Sequence, residues 1–495
     1  MLKTFYYYVK IVIMNSVENK NLIVPVIPLP GECVVSDGRA GEETVYTRQD
    51  GIPSEGYMLI CDDKGINVLY SDDKGRFYAN KTLDMLKSYY KEGLPHLRIS
   101  DCPRLKYRGF MLDVARYFFK TEDLKKLADA LALMKINVLH LHLTDDQGWR
   151  MEIEKYPLLT EIGSKRSSTN GNFKKHEGFY TRAEMKDFVE FAKERHITVI
   201  PEIDCPGHMR AALAAYPELG CFGRKLKVAD HWGVKHDIMC AGKESSYAFL
   251  FDVFDEVLEI FTGGYLHLGA DEAVKTRWKI CPHCRRAIQK GGLKDENALQ
   301  VAFLNRINRE YLRPKGVKGI IWVYDEVPDG LDEDIIVQVY GENAFGKGID
   351  LKGHTAIDSD SAAYYADFPY GITPLEKTFG HEPDGTKVAG AEICLWTEYV
   401  KDFAKVGKMS FPRSCAAAER MWNNNTGYDD FVLRLEASNI IKEYGGTPVK
   451  AANPSAKRAI LQKIWWGRRP LHWEGLKNLI ENVAVKIRYT RGKHD

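Results

Sequence analysis

The feature that most limits how this chain can fold is a regular alternation of short β-rich runs with helical stretches, which begins at Arg108. Eight such runs can be distinguished, at residues 109–113, 138–143, 198–203, 265–269, 319–324, 335–340, 354–359 and 390–396. Eight strands in βα order are typical of an α/β fold in which a parallel (β/α)8 TIM barrel closes through right-handed crossovers. An open doubly wound sheet is the alternative. It is disfavoured because polar and aromatic residues follow nearly every run instead of gathering at one switch point.

The helical stretches and the flanking segments suggest how the 495 residues are divided. Amphipathic spacing predicts helices at 122–134, 182–194, 247–261, 296–311 and 412–422. Residues 22–103 place strand-like runs at 22–27, 56–61 and 65–71, and one amphipathic stretch at 82–92, between Gly, Asp and Pro turns. We therefore predict an N-terminal extension (1–21), a small α+β domain (22–105), a barrel (106–440) and a helical tail (441–495) that packs on the barrel through Trp465 and Trp466.

The charge balance limits the possible partners. Lys and Arg number 70 against 68 Asp and Glu, so a nucleic acid or an anionic membrane surface is not expected, and a small near-neutral molecule is favoured. No apolar run is long enough for a membrane-spanning helix. Lys3, Lys10 and an aromatic run stand near the start without a small-residue cleavage site, so we expect no signal peptide and a cytoplasmic protein. The sequence gives no oligomeric state.

The ten cysteines are scattered and lack the density of a disulfide scaffold, which favours a reducing compartment. Cys281-Pro-His-Cys284 has the spacing of half a zinc site, but no second pair with this spacing follows. We interpret it as a loop turn that carries free thiols, and we predict no metal and no cofactor.

Two adjacent carboxylates, Asp271 and Glu272, end the run Tyr-Leu-His-Leu-Gly-Ala at 265–270. Catalytic groups of α/β barrels lie at the C-terminal ends of the strands, so the pair indicates acid–base chemistry on an oxygen-rich neutral substrate. The alternative is that both acids cap the next helix, where the helix dipole favours negative charge.

Similar polar and aromatic residues follow the other strands. Carboxylates and an arginine can bind sugar hydroxyls, and tryptophan offers a flat face to the C–H side of a sugar ring. The candidates are Arg108, Asp113 and Arg116 near the first strand, His140, His142, Asp145 and Asp146 near the second, Glu202, Asp204 and His208 near the third, His267 on the fourth, Tyr365 and Asp367 after the seventh, and Trp396 and Glu398 after the eighth.

Five motifs in order make the sequence resemble glycoside hydrolase family 20, the β-N-acetylhexosaminidases. They are Tyr-Arg-Gly-Phe-Met-Leu-Asp-Val-Ala-Arg at 107–116, Leu-Thr-Asp-Asp-Gln-Gly-Trp-Arg at 143–150, Pro-Glu-Ile-Asp-Cys-Pro-Gly-His at 201–208, His-Leu-Gly-Ala-Asp-Glu at 267–272 and Leu-Trp-Thr-Glu-Tyr at 395–399. The resemblance implies an exo-acting enzyme that removes terminal β-linked GlcNAc or GalNAc from oligosaccharides or glycoconjugates. It also implies a retaining mechanism in which the substrate's acetamido group attacks C1 and forms an oxazolinium ion.

The same resemblance assigns roles to individual residues. It makes Glu272 the acid and base, Asp271 the partner of the acetamido N–H, and Asp145 with His208 a relay to Glu272. Tyr365 would donate to the acetamido oxygen. The substrate-binding set is Arg108 (for the 3- and 4-hydroxyls), His142, His267, Asp367, Trp396, Glu398 and the pocket aromatics Trp322, Tyr324 and Tyr340.

The sequence departs from the family pattern at three positions. Tyr324 and Tyr340 stand where tryptophans are usual, and Ala270 replaces a glycine, which we expect to be tolerated if φ stays negative. Two other functions stay open. His140 and His142 have a metal-ligand spacing on one strand face, which would suit a metal-dependent hydrolase, and the tyrosine replacements would suit a catalytically weak sugar-binding homologue. The preference for GlcNAc or GalNAc is not predicted.

Overall fold

The computed structural model describes residues 24–169 and 174–467. Its first part is a small α+β domain, as predicted, with five strands at Glu32–Ser36, Thr44–Arg48, Tyr57–Asp62, Gly65–Tyr70 and His96–Asp101. They form one sheet in the order first, fifth, third, fourth, second, in which the second and fourth strands are parallel and the other pairs antiparallel. The helix Asp73–Tyr89 lies against this sheet, and its first turn is capped by the side chain of Asp72, which accepts a hydrogen bond from the Gly75 amide.

Two predictions for this domain need correction. The predicted helix at 82–92 begins earlier, at Asp73, and ends at Tyr89, because its capping residue, Asp72, lies well before the amphipathic stretch that we used. The predicted strand at 22–27 is wrong for its described part. Residues 24–27 form no strand; Val26 and Ile27 are fully buried, and the Val26 carbonyl accepts from Arg434 instead of a strand neighbour.

The second part is a closed barrel of eight parallel strands, as predicted. Barrel strands 1 to 8 are Tyr107–Asp113, Val138–His142, Thr198–Glu202, Tyr265–His267, Lys318–Val323, Ile336–Val339, Ala356–Asp358 and Gly390–Leu395. Each pairs with the next, and strand 8 closes on strand 1 with Leu395 opposite Leu112. Every strand lies within two residues of its predicted bounds, because the apolar runs are the segments buried on both faces.

Helices cover the outside of the barrel. The five predicted from spacing are present as Thr121–Leu133, Arg182–Lys193, Glu244–Leu258, Glu296–Ile307 and Arg413–Trp422. A capping box fixes the start of one of them, where Thr181 and Glu184 bond each other's backbone amides. The other α-helices are Leu158–Glu161, Arg210–Ala215, Pro282–Lys290, Ser361–Tyr364, Leu375–Gly380, Phe403–Ser410, Tyr428–Ala437, Ile440–Glu443, Val449–Ala452 and Ala456–Gly467.

The described part of the C-terminal tail ends in the helix Ala456–Gly467. Its Trp466 ring lies 5.1 Å from Phe368 and 5.9 Å from Tyr399, so this helix packs beside the loops that follow barrel strands 7 and 8. The predicted extension at 1–21 and the tail beyond 467 lie outside the described residues. Within the described ranges, none of the helices combines the length and the apolar character needed to cross a bilayer.

Candidate active site

The parallel register brings the C-terminal ends of neighbouring barrel strands to one rim. Asp113 lies opposite His142, His142 opposite Glu202, and Glu202 opposite His267. Side chains at or just beyond this level therefore meet, although they are far apart in the sequence.

His208 is the centre of the polar cluster at this rim. Its Nδ1 lies 3.2 Å from Asp145 Oδ1, and its Nε2 lies 3.5 Å from Glu272 Oε2 and 3.8 Å from Asp271 Oδ2. Burial alone lowers the pKa of His208, but the Asp145 carboxylate, to which it is hydrogen-bonded, and the nearby Asp146 and Glu272 carboxylates raise it well above its usual range. The imidazole is therefore a cation at neutral pH.

The two adjacent acids lie in different environments. Burial raises the pKa of Asp271 to about 6, and the His208 cation opposes this rise only in part. The Glu272 side chain is 49% exposed, and its interaction with His208 lowers its pKa. In the free protein Glu272 is thus an open, ionised carboxylate next to a protonated imidazole, whereas Asp271 is enclosed. The next helical segments are a 3-10 turn at Trp278–Ile280, with Arg277 at its N-cap, and the α-helix Pro282–Lys290, so neither acid caps a helix.

Asp145 and Asp146 are neighbours in the sequence but have different partners in the structure. Asp145 is bound by three cationic groups, at 2.6 Å from Arg116 Nη2, 2.8 Å from His142 Nε2 and 3.2 Å from His208 Nδ1. The Asp146 carboxylate instead accepts from the amide of Arg210, the first residue of the helix Arg210–Ala215. Asp145 therefore has the position expected of the relay residue, whereas Asp146 caps a helix.

A buried network supports the cluster from inside the barrel. Glu202 Oε2 lies 2.5 Å from His142 Nδ1 and 3.1 Å from His140 Nε2, while its Oε1 lies 2.8 Å from Trp322 Nε1 and 3.3 Å from His267 Nδ1. His142 and His267 are 1% and 0% exposed, so we correct their predicted role. They hold Glu202, Asp145 and Trp322 in place and do not reach the substrate side of the site.

An aromatic pocket lies next to the acids. Trp322 is 4% exposed and packs behind Tyr340 and Trp396, at ring distances of 6.0 and 5.7 Å. Tyr365 completes this wall at 6.2 Å from Trp396. Tyr324 lies 5.2 Å from Tyr340 but is 50% exposed. It therefore stands at the edge of the aromatic cluster and not inside it, where we predicted it.

The loop after barrel strand 7 is anchored so that Tyr365 and Asp367 stand near strand 8. Tyr365 forms a bridge with Cys394, and the Ala366 amide donates to the Cys394 carbonyl. Arg413 donates to the carbonyls on both sides of Asp367, those of Ala366 and Phe368. Glu398, just after strand 8, has its pKa raised by burial although Arg116 opposes the rise.

The prediction for Arg108 is wrong. It is the second residue of barrel strand 1, at the end opposite to the rim, and is 1% exposed. Its guanidinium donates to Glu55 at 2.7 Å, to Tyr78 at 3.2 Å and to the Lys135 carbonyl at 2.8 Å, so it joins the barrel to the small domain.

The arginine of the site is Arg116, in the same motif but after the strand. Besides Asp145, it contacts Asp113 at 3.2 Å and Gln147 at 3.2 Å, and it lies 5.1 Å from the Trp396 ring. Arg116 is among the candidates from the sequence, but the resemblance gives the role to Arg108, although the position of Arg116 after the strand was a signal in the sequence.

Two smaller expectations also fail. Ala270 has φ = 73°, so the condition of a negative φ is not met and this alanine is strained. Cys281 and Cys284 do not lie in a loop turn: Cys281 is the N-cap residue of the helix Pro282–Lys290, and Cys284 lies in its first turn.

Comparison with known proteins agrees with this arrangement. Residues 105–425 match the family model described as glycosyl hydrolase family 20, catalytic domain. A beta-hexosaminidase of Porphyromonas gingivalis is 38% identical over 417 residues, which cover 78% of this chain and 53% of that protein. A beta-hexosaminidase of Akkermansia muciniphila is 33% identical over 396 residues, which are 75% of this chain and 80% of that protein.

A solved structure described as a beta-N-acetylhexosaminidase superposes with a TM-score of 0.81 at 30% identity, covering 86% of this chain and 97% of the other. This chain therefore spans about half of one relative, at 53%, and nearly the whole of that solved structure. On the extent of the family match and the identity to these relatives, the chain belongs to glycosyl hydrolase family 20.

Proposed function

We propose that the protein is an exo-acting β-N-acetylhexosaminidase, which removes terminal β-linked GlcNAc or GalNAc from oligosaccharides or glycoconjugates with retention of configuration. The observation that carries the proposal is the contrast between two neighbouring acids at one imidazole, with Asp271 enclosed and Glu272 open. Two carboxyl groups in different surroundings can take different roles in one reaction.

The positions of the acids favour a nucleophile that belongs to the substrate. A retaining enzyme with its own nucleophile holds its two carboxyl groups about 5–5.5 Å apart, across the anomeric carbon. Here the two carboxylates belong to consecutive residues of one segment and approach the same His208 nitrogen, at 3.8 and 3.5 Å. Family 20 is a substrate-assisted exception to the two-carboxylate scheme.

In this reaction the acetamido oxygen attacks C1 while the bond from C1 to the glycosidic oxygen breaks. Glu272 gives its proton to the leaving oxygen, and Asp271 accepts a hydrogen bond from the acetamido N–H, which becomes more acidic as the oxazolinium ion forms. Water then attacks C1 and gives its proton to Glu272 while the bond from C1 to the acetamido oxygen breaks, which regenerates the acetamido group and restores the enzyme.

The His208 cation explains how Glu272 can act as an acid although its pKa is low in the free protein. The pair of side chains holds one proton, which resides on His208 while Glu272 is exposed to water. A bound sugar removes water from Glu272, and this burial favours transfer of the proton to the carboxylate.

The remaining site residues suit an amino sugar. The aromatic wall of Tyr340, Tyr365 and Trp396 offers apolar surface to the acetamido methyl, and Arg116 with Glu398 offers charged partners for ring hydroxyls. We infer that Asp367 serves the same purpose from the neighbouring loop, after barrel strand 7.

The test is hydrolysis of chromogenic β-N-acetylglucosaminide and β-N-acetylgalactosaminide, with the first anomer released identified by proton NMR. We expect the β-anomer from both substrates and strong inhibition by the thiazoline analogue of the intermediate. Inversion at C1, or a glycosyl group trapped on a carboxylate of this chain, would refute the mechanism. Binding without turnover would identify a sugar-binding homologue.

A further inference from the structure

Four of the ten cysteines meet in the fold although the sequence separates them by up to 63 positions. Cys240 Sγ lies 3.5 Å from Cys284 Sγ and 3.7 Å from Cys281 Sγ, and Cys221 Sγ lies 4.0 Å from Cys284 Sγ. All four sulfurs lie within 4.8 Å of one another, and none of the four residues is more than 8% exposed.

These separations fit one geometry closely. A disulfide needs two sulfurs at about 2.05 Å, so the distances of 3.5 to 4.0 Å exclude bonded pairs. A tetrahedral metal with metal–sulfur bonds of about 2.3 Å has sulfur–sulfur edges of about 3.8 Å. The measured distances lie on both sides of this value, as expected for four sulfurs around one central position.

The donor set selects the metal. Four thiolates in tetrahedral arrangement are typical of structural zinc, since Zn²⁺ accepts soft sulfur ligands and has no geometric preference of its own. The start of the helix Pro282–Lys290 lies at the cluster, and its positive dipole end favours thiolates at Cys281 and Cys284. We propose that Cys221, Cys240, Cys281 and Cys284 bind one structural Zn²⁺, with release of the thiol protons to solvent. This replaces our prediction of no metal, which considered only cysteines close in sequence.

The proposed ion would join the two loops that carry the catalytic cluster. Cys221 and Cys240 belong to the long connection between barrel strand 3 and the helix Glu244–Leu258, which also carries His208. Cys281 and Cys284 follow the segment that carries Asp271 and Glu272. Long connections with little regular structure are uncommon unless something else orders them, and a metal clip does so.

The stretch between Cys221 and Cys240 also reaches the sugar site. Its Ala229 amide donates to the Asp146 carbonyl at 2.9 Å, and its His231 carbonyl accepts from Gln147 Nε2 at 3.1 Å. Gln147 in turn accepts from Arg116 Nε at 3.2 Å. We therefore assign the ion a positioning role: its loss would loosen the support of Arg116 and remove no group that takes part in the reaction.

The first experiment measures zinc and iron by mass spectrometry in the full chain purified without chelator. We expect about one zinc per chain and release of that zinc when a mercurial reagent titrates the thiols. Replacement by Co²⁺ should give the intense visible absorption of a tetrahedral thiolate site. Zinc-free protein from zinc-supplemented medium, with four buried thiols and no cobalt spectrum, would refute the proposal, and stoichiometric iron would refute the choice of metal.

Variants then locate the ion. Cys240→Ser should lose the zinc and lower Tm, and it should raise KM more than it lowers kcat. Cys102 is an exposed cysteine of the small domain, so Cys102→Ser should keep the zinc content, the Tm and the kinetic constants of the unaltered chain. Full zinc retention in Cys240→Ser would refute the assignment of ligands. If Cys240→Ser does not fold, the zinc content and cobalt spectrum of the unaltered chain decide the question.

Discussion

The Nε2 atom of His208 lies 3.5 Å from Glu272 Oε2, and the charge of this imidazole controls the carboxylate. The interaction with His208 is the main reason for the low pKa of Glu272, and Asp145 is the main reason why His208 stays charged despite its burial. Strongly interacting groups lose their protons as a unit, so the pair of His208 and Glu272 should retain its last proton above neutral pH.

The proton shared by His208 and Glu272 predicts the effect of His208→Gln on the pH profile of kcat/KM. In the unaltered chain the alkaline limb of kcat/KM reports loss of the last proton from the pair, and so lies above neutral pH. Without His208 the proton can reside only on Glu272, so the limb should move to lower pH, toward the range of an ordinary carboxyl. The measurement is kcat/KM against pH for a substrate with a poor leaving group. An unchanged alkaline limb would contradict the relay.

Glu272→Gln tests the acid directly. The proton transfer should be worth roughly 10²–10⁴-fold, so kcat/KM should fall by about that factor for a poor leaving group and much less for an activated aryl aglycone. Glu398→Gln is a matched control. It removes a carboxylate that we propose binds sugar hydroxyls, so it should lower kcat/KM equally for both substrates. An equal loss on both aglycones in Glu272→Gln would mean that this residue does not protonate the leaving group.

Asp271→Asn should lose activity and gain stability. The pKa of Asp271 is raised to about 6 by burial, so the carboxyl favours its protonated form in the folded state. The stability that this form contributes is complete below the unfolded pKa of about 3.9 and is lost as pH rises through about 6.

At pH 7.5 the free energy of unfolding of Asp271→Asn should therefore exceed that of the unaltered chain by about 3 kcal/mol, and the difference should shrink toward pH 4. In the unaltered chain the acid limb of kcat/KM near pH 6 should report the ionisation of Asp271. Asp271→Asn should lose the activity. Denaturant unfolding at the two pH values measures the first effect, and a difference that does not depend on pH would contradict it.

Ala270 offers a test of stored strain. Its φ of 73° costs about 1–2 kcal/mol for a residue with a Cβ, while glycine at this position costs roughly 0.4–1 kcal/mol through the freedom of the unfolded chain. Ala270→Gly should thus stabilise the fold by up to about 1 kcal/mol. Gly269→Ala is the opposite case, because its added Cβ would overlap the Asp204 carboxylate, and it should destabilise strongly. Destabilisation in Ala270→Gly, measured by urea unfolding, would contradict the strain.

The barrel and the acids could be predicted because each depends on local pattern. Apolar runs give the strands, and residues that follow a strand reach the rim. The same rule separates Arg116 from Arg108, since only Arg116 follows barrel strand 1; the resemblance to a family motif alone did not distinguish the two arginines.

Contacts between distant segments could not be predicted from local pattern. The burial of His142 and His267 depends on Glu202, which a different strand supplies. The cluster around Cys240 combines the connection after barrel strand 3 with the start of the helix Pro282–Lys290, and its members share no short spacing motif beyond Cys281 and Cys284. Burial and charge at these sites are properties of the closed barrel and its loops.

The two tyrosines at the pocket predict its tolerance for larger acyl groups. Tyr340 packs against Trp322 within the wall, whereas Tyr324 is half exposed at the rim. A phenol is smaller than an indole, so the unaltered chain should accept N-propionyl and N-butyryl glucosaminides with only a moderate loss of kcat/KM.

In Tyr340→Trp the added ring should fill that space, and kcat/KM should fall by roughly 10-fold or more per added carbon, since one methylene in a pocket is worth about 1–3 kcal/mol. Tyr324→Trp is the control and should change the ratios little. A steep fall already in the unaltered chain would show that Trp322 closes the pocket behind Tyr340, and a steep fall that appears only in Tyr324→Trp would place the acyl group at the rim.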